Sequence, residues 1–267
     1  MIRDITIGQY YPAKSPIHRM DPRTKLFGTL IFIISVFLFH SVAGYAVATL
    51  FLAGMIIISQ VPVKFIFKGL KAIFMILMIT MVFNILLTPG EVLWKIGIFK
   101  ITREGISMAV RMAIRLVYLV IGSSLMTLTT TPNQLTDGLE KRLRPLNKIH
   151  IPVHEIAMMM SIALRFIPIL LEETDKIMKA QIARGADFES GNLIQKVKNM
   201  VPLLVPLFIS AFRRANDLAM AMEARCYHGG DNRTQMKPLH YTRRDHIAYV
   251  VLFVYLAVAI GFRVMGW

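Results

Sequence analysis

The chain holds one cysteine, Cys226, in 267 residues, so no internal disulfide can form and a disulfide-stapled secreted scaffold is excluded. Acids are scarce, with 16 Asp and Glu against 31 Lys and Arg, which leaves a formal net charge of +15. Those acids are scattered among basic residues and form no cluster with histidine, which counts against an enzyme working at a membrane face. No G-x-x-x-x-G-K-[ST] run occurs, so ATP cannot be held by a P-loop and any ATP-driven work must draw on a partner. Metal ligation also lacks material. His150 and His154 have the spacing of helical ligands, but Pro152 lies between them, and Cys226 and His228 have no further ligands nearby. We therefore expect neither a metal site nor a cofactor.

What the chain has in quantity is apolar surface. With 55% hydrophobic residues and a mean hydropathy of +0.55, it reads as an all-α membrane protein. The opening "MIRDITIGQYYPAKSPIHRMDPRTK" is too long and polar for the leading region of a secretory signal, so the first hydrophobic segment is expected to be retained. A hydrocarbon core of ~30 Å asks for about 20 apolar residues per helix. Residues 26–40, 41–59, 70–87 and 105–130 are expected to form four transmembrane helices within a membrane part, 1–130, and residues 246–267 hold the last. The fourth carries Arg111 and Arg115, four apart on one face, which are expected to turn to the bundle interior, an interface or the outer headgroups. Between Leu87 and that helix, "EVLWKIGIFKITREG" reads as an extracellular hairpin or a loop lying on the membrane.

Lysine and arginine fix the orientation, because short loops rich in them stay in the cytoplasm. Arg3, Lys14, Arg19, Arg23 and Lys25 precede the first span, and Lys64, Lys68 and Lys71 fill the second loop. Five crossings then place the N-terminus and the whole of residues 131–245 inside, with the C-terminus outside. This distribution explains the basic charge without nucleic acid. The inner block contains two apolar stretches, "IPVHEIAMMMSIALRFIPILL", interrupted by Glu155 and Arg165, and the short "VPLLVPLFISAF". We read them as non-crossing amphipathic helices; the rival reading inserts them as a hairpin and gives seven crossings.

Within the block, Thr131-Pro132 supplies an N-cap and a first-turn proline to a helix ending near Pro145. A longer helix is expected from Glu155 to Arg184, bent near Pro168 and stopped at Gly185, and a third from Pro202 or Pro206 to Arg225, with Gly229 and Gly230 beyond. Both long helices thus end on Ala-x-x-Ala-Arg, as Ala180/Ala183/Arg184 and Ala221/Ala224/Arg225. Alanines three apart keep one face thin enough for close approach, and arginine extends past it a planar fork suited to carboxylates. A single such arginine could simply complement the helix dipole, worth ~0.3 to 1 kcal/mol. Two of them suggest docking onto a partner with two similar lobes, such as a dimeric ATPase. At the first span, Asp21 and Pro22 form an N-cap and first-turn proline, with Arg23 and Lys25 expected to snorkel toward headgroups. The 18 methionines, Met158 to Met160 among them, suit surfaces that repack against changing partners.

"DPRTKL", "LTTTPNQL", "LRFIP", "ARGADF" and "EARCYHGG" are spread between residues 21 and 230, and with them the sequence resembles, over nearly the whole chain, the transmembrane T component (EcfT) of energy-coupling factor transporters. The resemblance implies a non-catalytic subunit of an ABC-type importer of vitamins or metal ions in the bacterial plasma membrane. It implies as partners two ABC-type ATPase subunits, in all expectation a heterodimer, and a substrate-binding S component. It also assigns Ala183, Arg184 and Gly185 to a first ATPase-coupling motif and Ala224, Arg225 and Cys226 to a second, at the ends of two coupling helices. Asp21, Pro22, Arg23, Arg111, Arg115 and Arg165 are carried as interface or structural residues. Cys226 stands where the family pattern has glycine, which leaves open whether the helix stops directly after Arg225 or at Gly229 with Cys226 adding a turn. The competing function is a stand-alone secondary transporter, which needs polar groups at mid-membrane and commonly a repeat. Asn84, Ser123, Ser124 and Thr127 are thin material for that, and no inverted repeat is visible.

Overall fold

The structure, a computed structural model, describes residues 10–39, 41–96, 99–188, 192–230, 236 and 238–264. Eight α-helices carry it: α1 (Pro22–Leu38), α2 (Val42–Ser59), α3 (Val63–Leu87), α4 (Arg103–Thr129), α5 (Pro132–Leu143), α6 (Val153–Ala183), α7 (Leu193–Glu223) and α8 (Arg243–Val264). An antiparallel two-stranded hairpin, β1 (Val92–Ile96) and β2 (Phe99–Thr102), joins α3 to α4, so the segment left open between hairpin and surface loop is a hairpin. The chain divides into two compact units. One holds the described residues of Gly8–Gly138 and Leu239–Trp267, the other those of Leu139–Pro238.

In the first unit α1 packs against both α4 and α8, and α2 packs against α8 and α4. Its core joins Phe32, Val36 and Phe39 of the first helix and its end to Tyr45, Ala48 and Leu52 of α2 and Tyr255 and Ala259 of α8. Phe51 stacks on Tyr255 at 4.4 Å between ring centres, and the buried Tyr255 hydroxyl is satisfied by Ser35 Oγ at 2.6 Å. The long α3 lies along α4, bent by 57° between Val63–Lys71 and Ile73–Leu87. Gly105 at the start of α4 sits against the carbonyls of Asn84 and Ile85, where any side chain would collide. Outward-facing residues of the unit are apolar: Leu50, Phe74, Met75, Phe83, Val250 and Phe253 are all exposed. A surface of that kind is costly in water and natural in lipid. Ahead of α1, the backbone N–H of Tyr11 donates to the Leu128 carbonyl, and the His18 ring bonds Ser15 Oγ at 2.7 Å and the Tyr11 carbonyl at 2.9 Å. Burial holds the His18 pKa below its ordinary value.

By length and composition α2, α4, α6 and α8 can each cross a membrane, and α3 makes a fifth if its two arms are one span. The upper number equals the expected five, counted by length and composition alone. At 17 residues α1 is about 25 Å long, short of an upright ~30 Å crossing, whereas α6 over Val153–Ala183 qualifies despite Glu155 and Arg165.

The second unit is dominated by α6 and α7, which pack on each other in antiparallel sense. Arg214 pairs with Glu173 at 2.6 Å, Gln181 Nε2 donates to the Pro202 carbonyl at 3.3 Å, and Asn199 Nδ2 donates to the Asp187 carbonyl at 2.6 Å. The helix expected to begin at Pro202 or Pro206 in fact begins at Leu193 and runs through both prolines. The contacts explain this. Pro206 has no N–H for the carbonyl four residues back, that of Pro202, and Gln181 fills the vacancy from the neighbouring helix.

Candidate functional site

The two Ala-x-x-Ala-Arg endings are closed by the same backbone device. After α6, the N–H of Gly185 donates to the Ile182 carbonyl at 2.9 Å and that of Ala186 to the Gln181 carbonyl at 2.9 Å. After α7, the N–H of Cys226 donates to Glu223 at 2.8 Å and that of Tyr227 to Met222 at 3.1 Å. These paired bonds, six-to-one around five-to-two, define the Schellman cap and need a left-handed residue at the first position beyond the helix. Gly185 supplies it with φ 87° and Cys226 with φ 54°. Of the two stops left open by the cysteine, the structure takes the earlier: α7 ends at Glu223, and Cys226 turns the chain in place of glycine.

Each cap leaves its arginine at the rim. Ala180, Ala183, Arg184 and Gly185 are exposed, as are Ala221, Ala224, Arg225 and Cys226. The ion pairs among the described residues involve neither Arg184 nor Arg225, so both guanidinium forks are available to an external anion. Exposed apolar side chains flank them, Ile182 at 55% and Met220 at 62%. Because α6 and α7 run antiparallel, the two arginines sit at opposite ends of the pair. Beyond the second cap the chain folds back on the start of α6, with Gly230 so close to the His154 ring that a Cβ would overlap it; His154 is itself paired with Glu140 at 2.8 Å. His150, in a left-handed turn, and His154, in the first turn of α6, do not share a helix.

Cysteine in a left-handed conformation costs about 1 kcal/mol more than glycine. Cys226→Gly is therefore expected to raise the melting temperature of the detergent-purified protein, and an unchanged or lowered value would show that the Cys226 side chain offsets its backbone strain.

The remaining expected residues fall in different places. Arg165 is exposed on α6. Arg111 is exposed and donates to Ser107 Oγ at 3.4 Å, one turn back on α4. Arg115 turns into the bundle, donating to the Phe39 carbonyl at 3.3 Å and lying over the Phe37 ring at 5.4 Å, so it ties α4 to the end of α1. Asp21 caps α1 as expected, accepting the Arg23 N–H at 2.9 Å, and Pro22 occupies the first turn.

Arg23 and Lys25 do not snorkel. Arg23 forks onto Asp21 at 3.0 and 2.7 Å, stacks over Tyr241 at 4.0 Å and donates to the Leu239 carbonyl. Lys25 is buried and donates to the Thr129 carbonyl at 2.8 Å and the His18 carbonyl at 3.3 Å. Carbonyls freed at the end of α4 and in the preceding turn thus hold an ammonium that lipid would otherwise have to solvate. Sequence reasoning missed Asp245 altogether. It is fully buried, accepts the Thr242 N–H at 2.8 Å as a capping-box partner of α8, and with its other oxygen accepts the Asp21 N–H at 2.8 Å. The signal was present as Thr242 followed three residues later by Asp245 ahead of an apolar run. Thr131 caps the start of α5 as expected, and Gln134 completes a reciprocal box with it, each bond 3.3 Å.

Apolar helices with polar ties between their ends, followed by two arginine-capped amphipathic helices, define a multi-pass α-helical membrane protein whose distinctive chemistry lies at helix ends. Residues 13–236 match the family described as cobalt transport protein, CbiQ, and the chain belongs to that family. It is 57% identical over 266 residues to the energy-coupling factor transporter transmembrane protein EcfT of Clostridium kluyveri, covering 99% of this chain and 98% of that one. The protein of the same name from Ruminiclostridium cellulolyticum is 55% identical over 256 residues, 96% of each chain. That from Bacillus subtilis is 49% identical over 264 residues, 98% of this chain and all of the relative. The resemblance drawn from the sequence motifs is borne out along the whole chain.

Proposed function

We propose that the chain is the transmembrane coupling subunit of an ABC-type energy-coupling factor importer, passing ATP-driven motion of two ATPase subunits to a substrate-binding S component for uptake of a vitamin or metal ion. The observation that carries this reading is the twin construction of the α6 and α7 ends: one backbone cap used twice, each time presenting an exposed arginine with no ionic partner among the described residues. Two such ends fit two ATPase grooves, and a heterodimer would present a different groove to each. The chain itself does no catalysis here; it transmits force. The assigned coupling residues are Ala183, Arg184 and Gly185 with Ala224, Arg225 and Cys226.

In this reading residues 1–130 and 246–267 lie in the bacterial plasma membrane. The block 131–245 faces the cytoplasm with the N-terminus, and the C-terminus lies outside. The length of α6 makes a crossing hairpin the alternative topology. Single cysteines in a Cys226→Ser background separate the two. Asn192→Cys is expected to react with impermeant maleimide only from the cytoplasmic side, and Pro89→Cys only from outside. Met160→Cys, on an exposed face of α6, is expected to react from water on the inside. Shielding of Met160→Cys from aqueous reagent, together with labelling by a lipid-phase probe, would overturn the five-crossing arrangement.

A further inference from the structure

Among α1, α2, α4 and α8 of the first unit lies a half-open cavity of about 320 Å³. Its walls are apolar, with Phe32, Met55, Met126, Val251 and Leu252 prominent, and its polar groups gather where α1 and α8 begin and α4 ends, at Lys25, Thr129 and Arg244. The walls are fixed by close contacts: Gly28 lies against Leu252, and Gly122 lies so near Phe32 that a Cβ would clash. The cavity is far larger than the space one water needs, and its apolar walls give water few hydrogen-bonding partners.

The charge at the polar end is unbalanced. Arg244 is exposed and belongs to none of the ion pairs among the described residues. The Lys25 ammonium spends two hydrogen bonds on the Thr129 and His18 carbonyls and gains no carboxylate. The nearby acids are committed, Asp21 to Arg23 and Asp245 to the backbone of Asp21 and Thr242. An occupant must therefore be apolar along its length and anionic at one end. Because the polar end coincides with the charged starts of α1 and α8, it lies where a spanning bundle meets the headgroup layer. We propose that this cavity binds one acyl chain of an anionic phospholipid, with the headgroup phosphate at Arg244 and the chain between α2, α4 and α8. A soluble anion would leave the apolar walls uncovered, and a zwitterionic lipid would bring its own cation against Arg244.

The full chain, purified in detergent and stripped of lipid, is to be titrated with phosphatidylglycerol or phosphatidylcholine of the same acyl chains and read by native mass spectrometry. Wild type is expected to retain one phosphatidylglycerol about fivefold more strongly than phosphatidylcholine, the increment of one basic residue near an anionic headgroup. Arg244→Gln is expected to remove that preference while keeping the site, and Ala248→Trp, at a lining position, to remove the retained lipid. Should Ala248→Trp not fold, Val251→Trp serves in its place. A phosphatidylglycerol carrying a diazirine at its acyl terminus is expected to cross-link to the peptides containing Met55 or Met126. Equal retention of the two lipids by wild type, an unchanged preference in Arg244→Gln, undiminished retention in the folded tryptophan variant, or cross-links confined to other helices would each overturn the proposal.

Discussion

Replacing Arg184 and Arg225 together by alanine is expected to release the ATPase subunits from the purified complex and abolish uptake, while the chain still inserts into the membrane in normal amount. Both side chains are exposed beyond helix caps whose hydrogen bonds run entirely through the backbone, so truncating them leaves the α6 and α7 ends intact. What is lost is the guanidinium. Truncating one member of a desolvated interfacial charge pair costs about 2 to 5 kcal/mol, which at ~1.4 kcal/mol per decade weakens docking roughly 30-fold or more for each site. Arg→Lys at either position is expected to rescue poorly, because an ammonium cannot reproduce a bidentate fork. The singles are expected to differ if the two ATPases differ, with the double variant losing association more completely than either. Full uptake and normal ATPase association in the double variant would reduce the repeated ending to a plain helix terminus.

The second large effect is expected at Asp245, at the other extreme of exposure. Its carboxylate takes the Asp21 N–H, the Thr242 N–H and the Thr242 hydroxyl at 2.8, 2.8 and 2.7 Å. Alanine there strands the buried Asp21 N–H and unties the start of α8 from the start of α1. It also removes a negative charge from the neighbourhood of the buried Lys25. Orphaned buried donors cost about 1 to 3 kcal/mol each, so Asp245→Ala is expected to lower stability by about 2 to 4 kcal/mol out of a typical total of about 5 to 15. The checks are folded yield from membranes and melting temperature in detergent, with Asp245→Asn intermediate because one acceptor oxygen remains. A melting temperature equal to wild type for Asp245→Ala would show that the α1–α8 tie contributes little.

These two sites differ in how far they can be read from sequence. The arginine endings are legible because a helix C-terminus is a local event: Ala at i and i+3, Arg at i+4 and a glycine close behind are visible without tertiary contacts. The caps at Asp21 and Thr131 are legible for the same reason. Tertiary partners are not. Pro202 and Pro206 look like a helix start until Gln181, from a different helix, supplies the donor that Pro206 lacks. Lys25 looks like a snorkelling cation until the Thr129 and His18 carbonyls are brought to it. Cys226 stands where glycine is the easier choice, and only the backbone bonds from Cys226 and Tyr227 show that the chain turns there regardless. The break between the first two helices is legible as well: it is expected between residues 40 and 41, and α1 stops at Leu38 while Ser41 caps α2.

The central claim is that this chain works as a connector with no transport activity of its own, and affinity purification of the tagged chain from its native membranes tests it most directly. Mass-spectrometric identification of every co-purifying chain is expected to find two ATP-binding-cassette subunits and a small membrane protein at comparable stoichiometry, with ATPase recovery collapsing in Arg184→Ala/Arg225→Ala. Recovery of the chain alone, or with partners of other kinds, and transport by it after reconstitution without any ATPase, would contradict the account.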